Sequence, residues 1–308
     1  MVEQEKETSP TRCGYVALVG APNAGKSTLL NQLVGAKIAI VTPKVQTTRA
    51  RVTAIAIEGE SQVIFVDTPG IFKPSRRLEK AMVDAAWSGA QDADRIVLLI
   101  DAVKGLTADV ERIIAGLEKN QRRAHVILNK VDIVKRDSLL GIAKTLSERG
   151  IFDEIYMLSA LTGDGVDDLR SALAKEMPEG PWLYPEDQLA LAPMRQLAAE
   201  ITREKLFMRL NQELPYSLTV ETESWEERKD GSVKIQQVVY VSRANHKPIV
   251  LGKGGQTIKK VGELARADLE ESLGCRVHLF LFIKVREKWL DDPERYREMG
   301  LDFPKDSP

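Results

Sequence analysis

Gly20-Ala21-Pro22-Asn23-Ala24-Gly25-Lys26-Ser27 sets a lysine and a hydroxyl directly after a glycine turn. The spacing is that of the G-x-x-x-x-G-K-[ST] loop that cradles phosphates. Backbone N–H groups and a helix N-terminus would converge there on a polyphosphate. Lys26 would reach its β- and γ-phosphates, and the Ser27 hydroxyl, followed by Thr28, would join the shell of a Mg²⁺ ion. Asp67-Thr68-Pro69-Gly70 offers a carboxylate to the same ion, and Gly70 a backbone that can approach a γ-phosphate. Asn129-Lys130-Val131-Asp132 offers a base reader. Asp132 can accept from both N1–H and the 2-amino group of guanine, a donor pair adenine lacks. Asn129 and the stem of Lys130 would brace that loop and cover the ring. Ser159-Ala160 would present a backbone N–H to the guanine O6. Each of the later groups alone is ordinary loop chemistry after a strand; their order in one chain carries the argument.

Those groups need a scaffold that gathers them. From Tyr15 to about Met177, short apolar runs at 16–19, 51–57, 62–66, 96–100, 125–128 and 154–158 alternate with amphipathic stretches at 26–34, 78–88, 107–117, 138–149 and 165–175. Alternating strands and helices predict a doubly wound, mostly parallel α/β sheet. Ligands bind such sheets at the carboxyl ends of the strands, where these motifs fall.

The series of phosphate loop, Gln46-Thr47-Thr48-Arg49, Asp-Thr-Pro-Gly, Asn-Lys-Val-Asp and Ser-Ala resembles the five G motifs of translation-factor-class GTPases. The resemblance implies switch I at Thr47 and Thr48, with Thr48 the preferred γ-phosphate-sensing Mg²⁺ ligand, and switch II at Asp67 to Gly70. Ile71 follows, where Ras-like proteins carry a nearby glutamine that orients the attacking water. Isoleucine has no polar group for that task, and no general base is evident. Asn23 offers a carbonyl that could hold K⁺ beside the β/γ-phosphates, as in related GTPases with Asn there. Simple tolerance of a tight turn explains Asn23 equally well.

At 308 residues, with a net charge of −1, the chain suggests two domains and gives no global sign of a nucleic-acid partner. Cys13 and Cys275 form neither a disulfide framework nor a metal motif, which points to a reducing, cytoplasmic compartment. Residues 1–11 lack the apolar core of a signal peptide. Three prolines and a glycine at 176–185 mark a junction near Gly180. Beyond it the pattern reads helix, strand, strand, short segment, glycine loop, helix, strand. Between Gly231 and Gly262 there are six Lys or Arg and no Asp or Glu. Positive charge thus gathers around Gly252-Lys253-Gly254-Gly255, with Lys247, Lys259 and Lys260 near by, as a phosphate-backbone contact requires. This stretch resembles the GXXG loop of KH domains, which clamps single-stranded RNA, and the element order matches the type II form. Ile249 and Ile258 are expected in the core.

A G domain followed by a type II KH domain resembles the Era family of bacterial GTPases over roughly Tyr15 to Trp289, and Glu213-Leu214-Pro215-Tyr216-Ser217 looks like that family too. The expected division is a flexible N-terminus (1–12), G domain (13–180), linker (181–190), KH domain (191–290) and tail (291–308). The resemblance implies GTP hydrolysis, 16S rRNA and the 30S subunit as partners, a monomer, and peripheral membrane contact in some members. Two other classes fit parts of the sequence: a signalling GTPase whose second domain binds protein, and a P-loop ATPase or kinase, against which Asp132 argues.

Overall fold

A computed structural model of the chain describes residues 10–211, 213–287 and 289–305, without the side chains of residues 290 and 298. By contacts these residues divide into two compact units. One holds the residues up to Ala36, Arg51–Phe72 and Ala86–Leu191; the other holds Lys37–Ala50, Lys73–Ala85 and the residues from Ala192 on.

The first unit is built on β1 (Arg12–Gly20), β2 (Val52–Glu58), β3 (Ser61–Asp67), β4 (Arg95–Asp101), β5 (Ala124–Asn129) and β6 (Phe152–Leu158), in the order β2-β3-β1-β4-β5-β6. Only β2 runs antiparallel, against β3. β3 and β5 are buried along their whole length, the reason they read as near-continuous apolar runs. Helices α1 (Lys26–Val34), α2 (Arg77–Asp92), α3 (Ala108–Lys119), α4 (Arg136–Ser147) and α5 (Val166–Glu176) connect the strands, the first part of α2, up to Ala85, being grouped with the second unit. The start of α3 is set locally: Thr107 caps it by accepting from the Val110 N–H, with Asp109 and Glu111 in the first turn. Val110, Ile113, Ile114 and Leu117 then fall on one buried face, each contributing about 2 kcal/mol.

β1 starts four residues before its apolar run because Arg12 to Tyr15 pair with Ser61 to Ile64. Thr11 and Arg12, expected in a flexible N-terminus, are tied down. The Gly180 N–H donates to the Thr11 carbonyl at 2.9 Å, and Arg12 meets Glu179 at 3.1 Å. Positions 1–9 of that expected segment lie outside the described residues. The expected linker is ordered along β2, the sheet edge. Buried Gln62 donates to the Tyr184 carbonyl at 2.7 Å and accepts from the Leu183 and Tyr184 N–H groups at 2.9 and 3.1 Å. The Leu189 carbonyl accepts from Ile55 N–H at 2.9 Å. Trp182 and Tyr184 pack on Cys13, Ile55 and Ile64. The segment covers an edge that would otherwise expose unpaired backbone groups.

The second unit contains α6 (Met194–Arg209), β7 (Leu218–Glu227), β8 (Val233–Val241), α7 (His246–Leu251), α8 (Gln256–Leu273), β9 (Val277–Val285) and α9 (Pro293–Glu298). Its sheet runs β7-β8-β9, with the first pair antiparallel and the second parallel. Alternate apolar residues of the strands pack on α6 and α8; Leu206, Val220, Val239 and Val261 form one cluster, Ile201, Ile235, Ala265 and Leu269 another. Ile258 packs on this core, but Ile249 is 56% exposed, because the six-residue α7 turns it outward and Val250 inward. Described residues of the C-terminal tail, whose placement the sequence leaves open, pack in this unit. Tyr296 and Leu301 are buried with Trp289 against Leu78, Ala81 and Met82.

Segment Lys37–Ala50 lies with this second unit, whereas the sequence reading put it in the G domain. Its contacts explain the assignment. Arg49 is buried, donating to the carbonyls of Leu218 at 2.8 Å and Pro215 at 3.2 Å. Lys37 meets Glu204 at 2.8 Å and Asp268 at 2.6 Å.

Candidate functional site

Parallel pairing places the chemistry of the first unit on one edge. In register, Leu18 pairs Asp67, Gly20 pairs Leu99, Asp101 pairs Asn129, and Asn129 pairs Leu158. The loops after β1, β3, β5 and β6 therefore leave the sheet side by side, as the rule for ligand sites in such sheets requires.

The phosphate loop is shaped by two left-handed residues, Asn23 (φ 63°) and Gly25 (φ 102°). A β-carbon on Gly25 would stand 2.2 Å from Asn129 Nδ2, so only glycine lets α1 begin there. Asn23 fits its conformation as one of the non-glycine residues that tolerate it. Lys26 is buried at the start of α1, with Nζ donating to the carbonyls of Gly20 (3.2 Å) and Ala21 (3.4 Å). Burial pushes its ammonium below the usual lysine range, and Asp67 counteracts this. Ser27 Oγ donates to Asp67 Oδ2 at 2.6 Å. A hydroxyl and a buried carboxylate converging beside the loop form an all-oxygen pair, the donor type a hard divalent cation such as Mg²⁺ takes.

The segment after β3 is tied to the loop. Thr68 Oγ1 donates to the Leu18 carbonyl at 2.8 Å, and the Ile71 N–H donates to the Gly20 carbonyl at 3.1 Å. The Ile71 side chain is buried, so this position brings no polar group toward a reacting water.

At the far side Asn129 acts as a brace. Its Nδ2 donates to the Ala24 carbonyl at 2.8 Å, and its Oδ1 accepts from the N–H groups of Lys130 (2.8 Å) and Ala160 (2.9 Å). One side chain thereby joins three of the motifs. In the Ser159-Ala160 pair, Ala160 N–H donates to Asn129 and Ser159 N–H to the Asp164 carbonyl at 3.0 Å, so the pair is fixed beside the Asn129 motif. Lys130 stands at φ 71° with Nζ bonded to Asp101 Oδ2 at 2.6 Å. Asp132 is exposed in the turn Val131–Ile133. Asp101 escaped the sequence reading, although its place at the carboxyl end of β4 was a usable signal. It orients Lys130 and accepts from Val103 N–H at 3.0 Å.

Thr47 and Thr48 lie in the segment grouped with the second unit. There Thr47 Oγ1 donates to the Lys44 carbonyl at 2.7 Å and accepts from Thr42 Oγ1 at 2.6 Å.

In the second unit the loop Gly252-Lys253-Gly254-Gly255 joins α7 to α8. Its glycines have φ of 73°, 59° and 77°. A β-carbon on Gly252 would stand 2.1 Å from Thr257 Oγ1, so the close turn into α8 needs glycine there. Lys247, Lys253, Lys259 and Lys260 are exposed around it. Lys260 pairs with Glu263 at 3.1 Å, a solvent-exposed contact easily exchanged for a phosphate. The N-terminus of α8, with no acidic residue in its first turn, adds a positive dipole end to the same face.

Fold and site together define a P-loop GTPase unit followed by a type II KH unit. Residues 15–130 match a family model described as "50S ribosome-binding GTPase", and residues 213–290 match the KH domain model. GTPase Era of Rhizobium meliloti (strain 1021) is 59% identical over 309 residues, covering 99% of each chain. GTPase Era of Sinorhizobium medicae (strain WSM419) is 60% identical over 296 residues, 96% of each. Among solved structures, an Aquifex aeolicus Era variant bound to GDP·AlF4⁻ is 40% identical with a TM-score of 0.89. An Era complex with MgGDPNP and nucleotides 1506–1542 of 16S ribosomal RNA is 40% identical with a TM-score of 0.88; each comparison covers 94% of this chain and 99% of the other. The chain belongs to the Era family of GTPases, and it hydrolyses GTP.

Proposed function

We propose that the protein is a GTP-gated RNA clamp that binds the 3′ end of 16S rRNA through its KH unit during assembly of the small ribosomal subunit. The observation that carries this reading is the pairing, in one chain, of an edge that gathers the phosphate loop, Asp67 and the Asn129–Asp132 motif with a basic GXXG loop. The similarity to an Era complex holding both MgGDPNP and a 16S rRNA segment supports it. Mg²⁺ would sit at Ser27 and Asp67, with Thr48 as the third ligand supplied by switch I. It would neutralise charge on the β- and γ-phosphates. The G domain, linker and KH domain are assigned as functional parts at 13–180, 181–190 and 191–290. The protein works as a cytoplasmic monomer. Among the described residues no helix is long and apolar enough to cross a membrane, so any membrane contact, as in some family members, would be peripheral.

The test is binding of a single-stranded RNA with the 16S 3′-terminal sequence, in GDP and in a non-hydrolysable GTP analogue. Tighter binding with the analogue is expected, and linkage then requires the RNA to tighten analogue binding by the same factor. Equal affinity in both states would remove the gate. Replacing Lys253 and Gly254 together by Asp should lower RNA affinity about a hundredfold or more and leave GTP binding unchanged, since one positive charge is reversed and a second negative charge is added against a phosphate backbone. Retained RNA binding in that variant would overturn the assignment of the loop.

K⁺ held at the Asn23 carbonyl would place a positive charge beside the β- and γ-phosphates where charge develops during hydrolysis. Hydrolysis is then expected to run roughly tenfold faster in K⁺ than in Na⁺ at equal ionic strength. Equal rates would leave Asn23 as a turn residue only.

A further inference from the structure

Two motifs have no role in the nucleotide edge or the RNA loop: the arginine that closes Gln46-Thr47-Thr48-Arg49, and Glu213-Leu214-Pro215-Tyr216-Ser217. The second unit brings them together. Arg49 Nη1 donates to the Leu218 carbonyl at 2.8 Å, and Nη2 to those of Pro215 at 3.2 Å and Tyr216 at 3.5 Å. These carbonyls stand at the end of the turn Leu214–Ser217, where backbone acceptors are left over and point outward. The guanidinium carbon lies 5.6 Å from the Phe207 ring centre and 5.7 Å from that of Trp289, within range of cation–π attraction. Only 3% of Arg49 is exposed. A planar fork with several donors suits such a socket, and a lysine does not.

The rest of the segment is bound to the same unit. Arg203, itself buried, donates to the Thr47 carbonyl. At the other end Lys37 bridges Glu204 and Asp268, and Glu204 accepts from the Val41 N–H at 2.9 Å. Burial pushes the Glu204 carboxyl up, but Lys37, Val41 N–H and Lys205 together outweigh it and hold the group below its usual range. The segment is thus pinned at both ends and at Thr47, while the chain on either side, α1 and β2, belongs to the first unit.

We infer that Arg49 is a positioning residue: seated in its socket in the KH unit, it holds the switch I threonines, and through it the RNA-binding unit and the nucleotide communicate. This rests on the GTP-gated reading above and names the contact that transmits the gate. The physical reason is cooperativity within a short segment. Fourteen residues held by a buried cation and a buried carboxylate cannot reorder at the threonines without unseating one of them, and cores and interfaces of this kind switch rather than deform.

The experiment measures affinity for the same 16S 3′-terminal RNA in GDP and in the GTP analogue, for the wild type, Arg49→Met and Lys37→Ala. Methionine keeps apolar contact with the rings and removes every donor. In the wild type the two affinities should differ by about tenfold, within the range of ordinary coupling. In Arg49→Met the ratio should fall to about one, with GDP affinity and GDP-state RNA affinity within about twofold of wild type; a merely structural role would not move the ratio alone. Should Arg49→Met prove unstable in a thermal melt, Lys37→Ala decides. Lys205 still pairs with Glu204 and Asp268 there, so the unit stays folded while the ratio drops. A wild-type ratio preserved in both folded variants overturns the anchor and leaves the gate standing. A ratio of one in the wild type overturns the gate itself.

Discussion

Replacing Lys26 by alanine is expected to weaken GTP binding about a thousandfold. Two charge-assisted hydrogen bonds to phosphate oxygens, at about 2 kcal/mol each, amount to about 4 kcal/mol, close to three decades of affinity. The structure shows why the loss should fall on binding rather than on folding. In the loop Lys26 Nζ makes long contacts of 3.2 and 3.4 Å to the carbonyls of Gly20 and Ala21. Burial already disfavours its charged form, with Asp67 the compensating charge. A triphosphate supplies what the protein leaves short, so the cation gains most when the nucleotide arrives. Titration with a fluorescent GTP analogue, beside a thermal melt, checks the expectation. A loss smaller than tenfold with an unchanged melt would show that Lys26 does not reach the phosphates.

Asp132→Asn should exchange the preferred base. At a guanine the carboxylate would accept from two donors, whereas an amide can accept from only one of them. Losing one charge-assisted bond and facing the 2-amino group with an amide N–H should cost GTP about 3 kcal/mol, on the order of a hundredfold in affinity. Xanthine carries a carbonyl where guanine carries the amine, so the amide N–H then finds an acceptor and XTP affinity should rise above that for GTP. Asp132 is exposed in its turn, while Asn129, Lys130 and Asp101 hold that turn through bonds of 2.8, 2.9 and 2.6 Å that the substitution does not touch. The loop should therefore keep its shape. Competition binding with GTP, XTP and ATP reads the result. A variant that loses GTP without gaining XTP would point to a damaged loop, and one that keeps GTP would remove Asp132 from the base site.

Both expectations rest on residues that could be located in the sequence. The motifs Gly20 to Ser27, Asp67 to Gly70 and Asn129 to Asp132 are contiguous, and each follows a buried strand whose apolar run is plain. A parallel sheet with alternating helices then places their loops on one edge, whatever the details of packing. The same holds for the GXXG loop, since three positive-φ glycines before an 18-residue helix are dictated locally. Boundaries were less legible. β1 reaches back to Arg12 and α2 on to Asp92, because strand pairing and helix packing continue past the residues that show the period.

What the sequence determined by itself, then, was the class of the fold, the nucleotide chemistry and the basic loop, all carried by neighbours in the chain. Tertiary structure alone decided where segment Lys37–Ala50 belongs, that Ala160 N–H serves Asn129, that Ile249 faces outward while Trp289 and Tyr296 are core, and that Arg49 fills a socket of carbonyls some 166 to 169 positions away. Hydrophobic period and turn chemistry act over a few residues. A buried cation's partners, by contrast, are whichever acceptors the completed fold leaves without donors at that point, and no local pattern encodes them.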